Sequence, residues 1–534
     1  MLEYEFECGC KFKQFGEEIK PEDGLPPIEI DFYNINHNCP ITWQILLEGK
    51  TKGVFQLEKS LGKHWSKLCQ PTSVEDIAAL ISIIRPGVLK AMLDKKSMTQ
   101  HFADRKSGKE PITYIHESVE EILAPTQGVL VYQEQSMAIA SKLAGFNLQQ
   151  ADTLRKAIGK KKADLMAKVK TEFVDGCNKT GLVNEEIARQ VFDDIEKSNR
   201  YAFNKSHAVE YGEIGYWTAY AKAHFPLHFF AAYLEMSNDK TNSQEEVSEL
   251  VEDAKLFGIN VYPPKVNEHF SMVPGGVFFG LKNVKNIGSN HIIKLLEQIR
   301  LCQMEFDCPI EKWDWHTILV NIGDYTNKTV FNNLISVGVF IKTGLSRQIM
   351  LHEYNMWSKL TPREKSMCKH ISNINSCIRY LINEDKVSKP RMEVLAGVLQ
   401  SLENPPFATE DDPHWVTNIE QEILGTPISC TKVDNINSSA SNTTCKEFLD
   451  GKEGEVILAV EISGLREYIV KNGKSTGKPM AFLNLRDNSG SLDATIFSDL
   501  WMKVKNLCYK GNTCLISGNR SDRGGLIIKK VKEL

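Results

Sequence analysis

The densest positive charge in the chain is Arg155-Lys156-Ala157-Ile158-Gly159-Lys160-Lys161-Lys162, continued by Lys168 and Lys170. Seven basic residues fall between 155 and 170 against one acid, Asp164. Such a cluster suits a polyphosphate, because each phosphate it neutralises releases condensed counterions. A solvated helix face is the competing reading. Gly159 weighs against it, since a residue without Cβ interrupts a helix and lets backbone approach a ligand. Phe203-Asn204-Lys205-Ser206-His207-Ala208 packs four polar side chains into four positions before a hydrophobic helix, although Ser206 could simply be its N-cap. Tyr132-Gln133-Glu134-Gln135 offers amides that could read a base edge or a sugar and a tyrosine that could stack; it could equally be a polar helix start. Arg85-Pro86-Gly87 is either a charged group fixed by a rigid turn or a helix stop. Cys8, Cys10, His37 and Cys39 together could hold a zinc ion tetrahedrally, with ordinary buried or surface thiols the favoured reading. No nucleophile–base dyad accompanies these groups: there is no Gly-x-Ser-x-Gly, Walker loop, His-Glu-x-x-His or dinucleotide fingerprint.

The elements that must position these residues are mostly helices. At roughly 150 residues per domain, 534 residues imply three to four domains. With 42% hydrophobic and 25% charged residues, wholesale disorder and disulfide-scaffold folds are excluded. The net charge of −4 excludes a histone-like protein but not a local nucleic-acid surface. No apolar run reaches the roughly 20 residues of a membrane span, and the acidic start Met1–Glu7 argues against export. Thirteen scattered cysteines without a Cys-x-x-Cys are expected to be free thiols. Helices are predicted over 74–84, 136–143, 150–169, 184–197, 210–225 and 243–257, the last capped by Gly258. Ile28-Glu29-Ile30-Asp31-Phe32 alternates like a strand. Val284-Lys285-Asn286-Ile287-Gly288 before His291–Leu296 resembles a helix–hairpin–helix, whose turn aims backbone amides at a DNA phosphate. Residues 433–444 form a polar linker. After it, strands predicted at 455–462, 481–486, 492–497, 513–518 and 524–531, with a helix near 500–507, fit an OB-type barrel.

In their order, these motifs resemble the α subunit of bacterial DNA polymerase III, the C family of DNA polymerases. The resemblance is carried by Gly53-Val54-Phe55-Gln56-Leu57-Glu58, Arg85-Pro86-Gly87, Tyr132–Gln135, Leu154–Lys162, Phe203–Ala208 and Lys222-Ala223-His224-Phe225-Pro226, and more weakly by Leu424-Gly425-Thr426-Pro427-Ile428. It implies a multidomain, mainly α fold: an extension over 1–40, polymerase fingers over 41–260, a helix–hairpin–helix domain over 265–350, a helical connector over 351–450, and an OB barrel over 451–534. It implies nucleotide contacts from Arg85, Tyr132, Gln133, Gln135, Arg155, Lys205 and His207. DNA contacts are implied for Lys156, Lys160, Lys161, Lys162, Lys285 and Gly288.

The resemblance leaves out two parts of the family, the N-terminal phosphoesterase-like domain and the palm, whose three aspartates hold two Mg²⁺ ions. Pro27–Phe32 imitates the palm's Pro-Asp-x-Asp-x-Asp-Phe, but Asp31 lies only 25 residues before Gln56, so Glu29 and Asp31 are read as part of a linker. The expectation is therefore a DNA-directed DNA polymerase portion, from a bacterium or a phage and working in the (host) cytoplasm. It would bind dNTPs and primer–template DNA, take Mg²⁺ ligands from a palm-bearing partner chain, and itself hold no catalytic carboxylates or resident metal. A sliding clamp is a further partner, for which Gln348–Leu351 and Gln400–Phe407 are poor matches. The alternative is an inactive DNA-binding accessory protein derived from such a polymerase. An unrelated OB-fold single-strand binder is the third reading. Replacing Lys160, Lys161 and Lys162 together by Ala should flatten the dependence of log DNA affinity on log salt by up to about three contacts, at roughly 0.9 each on duplex DNA. A salt titration with an unchanged slope would remove these lysines from the phosphate path.

Overall fold

A computed structural model of the chain describes residues 2–14, 25, 27–159, 163–198, 201–237, 240–266, 269–384, 386–435, 438–471, 475–521 and 524–534. The chain divides into two compact units, Met1–Glu18 with Pro26–Pro226, and Ile19–Leu25 with Leu227–Leu534. The first boundary thus falls at residue 226, inside the stretch 41–260 expected to be fingers. The helices Pro226–Met236 and Ser243–Leu256 bury Phe230, Leu234, Leu250 and Val251 in the core of the second unit.

The first unit opens on a hairpin, Leu2–Glu5 against Lys11–Gln14, with Ile28–Glu29 added as a short third strand. The predicted strand over 28–32 stops there because Asp31 folds the chain over. Its carboxylate accepts the Tyr33 N–H at 3.1 Å and the Asn34 Nδ2 at 2.7 Å. The predicted helix over 150–169 is two helices, Leu148–Gly159 and Ala163–Thr180, and Gly159 ends the first. Together with Gln133–Ala144 and Glu185–Ser198 they enclose an apolar core that includes Leu143, Leu154, Phe173 and Phe192.

Two helices hold the rest of this unit. Val74–Ile83 is capped by Ser73, whose hydroxyl accepts the Asp76 N–H at 3.1 Å, and Glu75 and Asp76 complement its dipole. Every residue from Ile77 to Ile83 is buried. The long helix Lys205–His224 crosses it. It starts five residues before the predicted 210, because Asn204 caps it by accepting the His207 N–H at 2.9 Å. Ala208, Gly212, Gly215, Ala219 and Lys222 recur at intervals of three and four, so they share one buried face. At Gly212 an added Cβ would lie 2.9 Å from the Val74 carbonyl oxygen and 3.2 Å from the Ala78 nitrogen. Lys222, fully buried, donates to the carbonyls of Lys50 (2.8 Å) and Lys52 (2.7 Å), pinning that loop to the helix.

In the second unit Ser243–Leu256 ends before Gly258 at φ +72°, as predicted. The span 265–350 is not purely helical. A small sheet of Asn260–Tyr262, Gly276–Phe278 and Ser271–Val273 precedes the helices. The expected hairpin has only a 3-10 turn, Leu281–Asn283, as its first helix, and Ser289–Phe306 as its second. Further helices follow to Ile423. Arg347 and Glu420, both essentially inaccessible, pair there at 2.8 Å, and the other Glu420 oxygen accepts the Ile428 and Ser429 N–H groups.

The last strands close a barrel in the order first, second, third, fifth, fourth and back to the first: Val456–Ile469, Pro479–Asp487, Gly490–Ile496, Leu526–Glu533 and Thr513–Arg520. The third and fifth strands are parallel and the other neighbours antiparallel. The helix Ser498–Val504 lies before the fourth strand, as the OB pattern requires. The first strand runs seven residues past its predicted end, and residues 465–469 are exposed. Lys471-Asn472-Gly473-Lys474 reads as a turn in the sequence, and residues 472–474 lie outside the described residues.

The Gly212 contact can be tested against an open glycine. Ala is about 1 kcal/mol better than Gly inside a helix, whereas overpacking costs about 1–3 kcal/mol. Backbone is what an added methyl meets at Gly212, so Gly212→Ala should destabilise the first unit by about 1–2 kcal/mol. Gly397→Ala, at an exposed position of the helix Lys389–Glu403 with nothing within 4 Å, should be neutral or stabilising. Urea unfolding of both variants checks the pair; equal effects would show that helix propensity alone governs both.

Candidate nucleotide-binding site

Three of the singled-out segments meet around Phe203. Phe203 donates its N–H to the Val131 carbonyl and accepts the Gln133 N–H, both at 2.9 Å, a short parallel bridge. The Arg85 guanidinium lies over the Phe203 ring at 4.5 Å from its centre, a cation–π contact of about 0.5–1 kcal/mol at an exposed site. Pro86 occupies the first turn of the short helix Pro86–Lys90, so Arg85 sits on its extended N-cap. Gly87 is required for this docking, since a Cβ would meet the Tyr201 Cβ at 2.7 Å. The His207 ring lies 5.4 Å from Phe203 and 4.0 Å from Tyr211.

The start of the long helix is held by a residue not singled out above. The Glu134 carboxylate accepts Asn204 Nδ2 at 2.8 Å and the Lys205 N–H at 2.9 Å. With the His207 N–H taken by Asn204, these first-turn amides already have partners. An anion arriving here would be held by the side chains of Arg85, Lys205 and His207. Arg85 and Lys205 are exposed and His207 is half-buried, so all three are within reach of solvent. Sequence reasoning noted Glu134 only as a member of a polar quartet, because nothing local shows that residue 134 faces residue 204.

Tyr132 and Gln135 lie beneath this surface. Gln135 accepts the Val131 and Tyr132 N–H groups, each at 2.9 Å, and donates to the Thr126 hydroxyl at 2.7 Å. Tyr132 is buried, and burial pushes its phenol well above the usual range, opposed by a hydrogen bond with Ser82. Both side chains brace the strand-to-helix turn. Gln133 is half-buried at the edge of the cluster.

Arg155 stands on another helix. Its Nε and NH2 donate to Asp152 at 3.0 and 2.7 Å, and Lys156 pairs with the same carboxylate at 2.6 Å. Lys156 and Arg155 together hold the Asp152 carboxyl below its ordinary value. These exposed pairs are weak partners that a phosphate could replace. Lys160, Lys161 and Lys162 lie outside the described residues. Lys285 and Gly288 belong to the second unit. Asn286, within the expected hairpin turn, takes the left-handed φ of +65°, which asparagine tolerates. Lys285 is exposed, while its backbone is tied to Ile423 and Asn333, and Gly288 is the exposed N-cap of Ser289–Phe306.

On the barrel, Phe482 and Tyr468 lie 6.2 Å apart, with Arg466 over Phe482 at 5.2 Å. Phe482 alternates with the buried Ala481 and Leu483, so it faces outward, and Tyr468 and Phe497 are exposed.

Among the described residues, the one group of three or more metal-ligating side chains close enough to share an ion is Cys8, Cys10, Cys39 and His224. His37 is not in it: its Nε2 bonds Glu213 at 2.9 Å. No described carboxylates gather in the way a Mg²⁺ pair needs. Asp31 is exposed and held below its ordinary value first by Asn34, within its own turn. The described residues therefore do not fit a catalytic Mg²⁺ pair.

The described chain thus combines a mainly helical unit bearing exposed cations with a second unit that carries an OB-type barrel. Residues 13–181 match the bacterial DNA polymerase III alpha subunit finger domain. The chain is 34% identical over 523 residues to the DNA polymerase III subunit alpha of Aquifex aeolicus, covering 95% of this chain and 39% of that protein. It is 29% identical to that of Escherichia coli K12 (94% and 41%) and 30% identical to that of Thermus aquaticus (88% and 36%). The chain is thus DNA polymerase III alpha-like over nearly its whole length, and it spans about two fifths of the curated relatives it matches. The finger-domain match begins at residue 13, within the stretch expected to be an extension.

If the outward aromatics are a stacking platform, Phe482→Ala and Tyr468→Ala should each weaken oligo-dT binding by about 1–3 kcal/mol and leave duplex binding unchanged. Fluorescence anisotropy of the full chain measures both. Equal losses on single strands and duplex would make the platform structural.

Proposed function

We propose that this chain serves as the fingers-to-OB portion of a replicative DNA polymerase. It would bind the incoming deoxynucleoside triphosphate and primer–template DNA during template-directed synthesis in the cytoplasm. The observation that supports this reading is the contact of Arg85 with Phe203, which brings a cation from a segment far away in sequence to the start of the helix that carries Lys205 and His207. In this reading Arg85, Lys205 and His207 neutralise the triphosphate, Gln133 lies beside the nucleotide, and Tyr132 and Gln135 keep the turn rigid. Arg155 exchanges Asp152 for a phosphate. Lys156, Lys160, Lys161 and Lys162 with Lys285 and the turn at Gly288 grip the DNA backbone, and the barrel takes single-stranded template. Nucleotidyl transfer also requires Mg²⁺ held by carboxylates. In this reading the carboxylates belong to a palm on a partner chain. A clamp would tether the assembly.

A second reading, a DNA-binding protein without chemistry, draws on the outward aromatics of the barrel. Primer extension with Mg²⁺ separates the two. The chain alone should bind primer–template and dNTP but extend little, and a palm-bearing chain should restore synthesis. In that mixture Arg85→Ala or Lys205→Ala should cost about 1.5–3 kcal/mol, roughly ten- to hundred-fold in rate, with a much smaller loss of DNA affinity. No dNTP binding and no restored synthesis would leave the accessory reading. Robust extension by the chain alone that Asp31→Asn abolishes would place the carboxylates here and sink the partner-palm reading.

A further inference from the structure

We propose that Cys8, Cys10, Cys39 and His224 form a structural zinc site that clamps the N-terminal hairpin to the C-terminal end of the long helix. The inference is independent of the polymerase reading. Their donor atoms, three sulfurs and one ring nitrogen, all lie within 4.8 Å of one another. His224 Nε2 is 3.2 Å from Cys39 Sγ and 4.0 Å from Cys8 Sγ. In a tetrahedral site with zinc–sulfur bonds of about 2.3 Å and zinc–nitrogen bonds of about 2.0 Å, neighbouring donors are roughly 3.5–3.8 Å apart. The four groups are therefore within a few tenths of an ångström to about one ångström of a ligand tetrahedron.

Each ligand is set by its own local structure. Cys8 and Cys10 flank Gly9 in the hairpin turn, where Phe6 N–H bonds the Cys10 carbonyl at 2.8 Å and Gly9 adopts φ +79°. A side chain at residue 9 would be strained there, so the Cys-Gly-Cys turn is a specific choice. Cys39 is the fully buried N-cap of Pro40–Leu47, at the positive end of a helix, where a thiolate is favoured. His224 is the last residue of the long helix. Its ring lies 4.7 Å from Phe6 and 4.5 Å from Tyr220, which fixes its plane. Asn36 Nδ2 donates to the Cys8 carbonyl at 3.3 Å, and the Tyr216 hydroxyl donates to the Asn36 carbonyl at 2.6 Å, an outer ring of support.

The chemistry selects the ion. Thiols hydrogen-bond weakly, so three of them brought together with an imidazole contribute little by themselves. A divalent ion that prefers sulfur and nitrogen satisfies all four, whereas Mg²⁺ and Ca²⁺ require oxygen. Four protein ligands leave no open position, which makes the site structural and not catalytic. Cys8 and Cys10 precede residues 13–181 and His224 follows them, so most of the site lies outside the matched finger domain. His37, two residues before Cys39 and closer in sequence to the cysteines, is bonded to Glu213 and makes a discriminating control.

The test is metal analysis by mass spectrometry on the full chain, purified untagged under reducing conditions. The wild type should carry about one zinc per chain, and Co²⁺ exchanged into it should show the visible bands of a tetrahedral thiolate site. Cys39→Ser and Cys10→Ser should lower zinc at least about five-fold. His37→Ala should keep it, and His224→Cys, which preserves four ligands, should keep it with an altered cobalt spectrum. Folding is followed by circular dichroism, and the two metal-retaining variants give an answer even if the serine variants unfold. A folded wild-type chain that takes up neither zinc nor cobalt, a disulfide between two of the three cysteines under the same conditions, or zinc lost in His37→Ala but not in Cys39→Ser would overturn the assignment.

Discussion

At Gly212 the backbone of the long helix comes so close to Val74–Ile83 that not even a methyl group fits without displacing main chain. This approach organises the first unit. It is possible only because Ala208, Gly212, Gly215 and Ala219 present a nearly smooth face, and it costs the helix the propensity that larger residues would supply. Tertiary contact offsets that cost, through the buried Val74–Ile83 stripe and through Lys222, whose ammonium satisfies two loop carbonyls. Lys205 and His207 stand at one end of this helix and the cysteine–histidine group at the other. Neither is positioned independently of the packing between them.

Much of this was legible in the residues. The stop at Gly258, the helix Val74–Ile83 and all five barrel strands follow from periodicity and from turn residues, which act locally. The wrong or missing parts were long-range. His37 seemed the fourth partner of the cysteines because it is nearby in sequence; His224 takes that place because the fold returns the end of a helix to the hairpin. Glu134 was unremarkable until the parallel bridge at Phe203 set it opposite Asn204. Tyr132 and Gln135 carried polar groups that looked available, yet their hydrogen bonds are spent on the turn that presents their neighbours. The start of the long helix was placed late because Asn204 acts as a cap through its side chain, while the apolar period becomes regular only further on.

The proposed nucleotide surface differs from a phosphate loop. In a glycine-rich loop the backbone amides do the binding. Here the Lys205 and His207 amides in the first turn of the long helix are occupied by Glu134 and Asn204, and Arg85 lies over an aromatic ring. The Arg85–Phe203 and Arg155–Asp152 contacts are each weak, so under the proposed function these side chains can reorient toward a ligand at small cost.

The length of the long helix fixes a phase as well as a distance. Twenty residues rise about 30 Å, and each residue turns the helix by about 100°. A single inserted residue between Gly215 and Lys222 would leave the Lys205 end in place and swing His224 by more than a quarter turn away from the hairpin. The count of residues from Asn204 to His224 therefore behaves like the tooth spacing of a gear. Substitutions along the outer face can drift freely, but additions and deletions cannot.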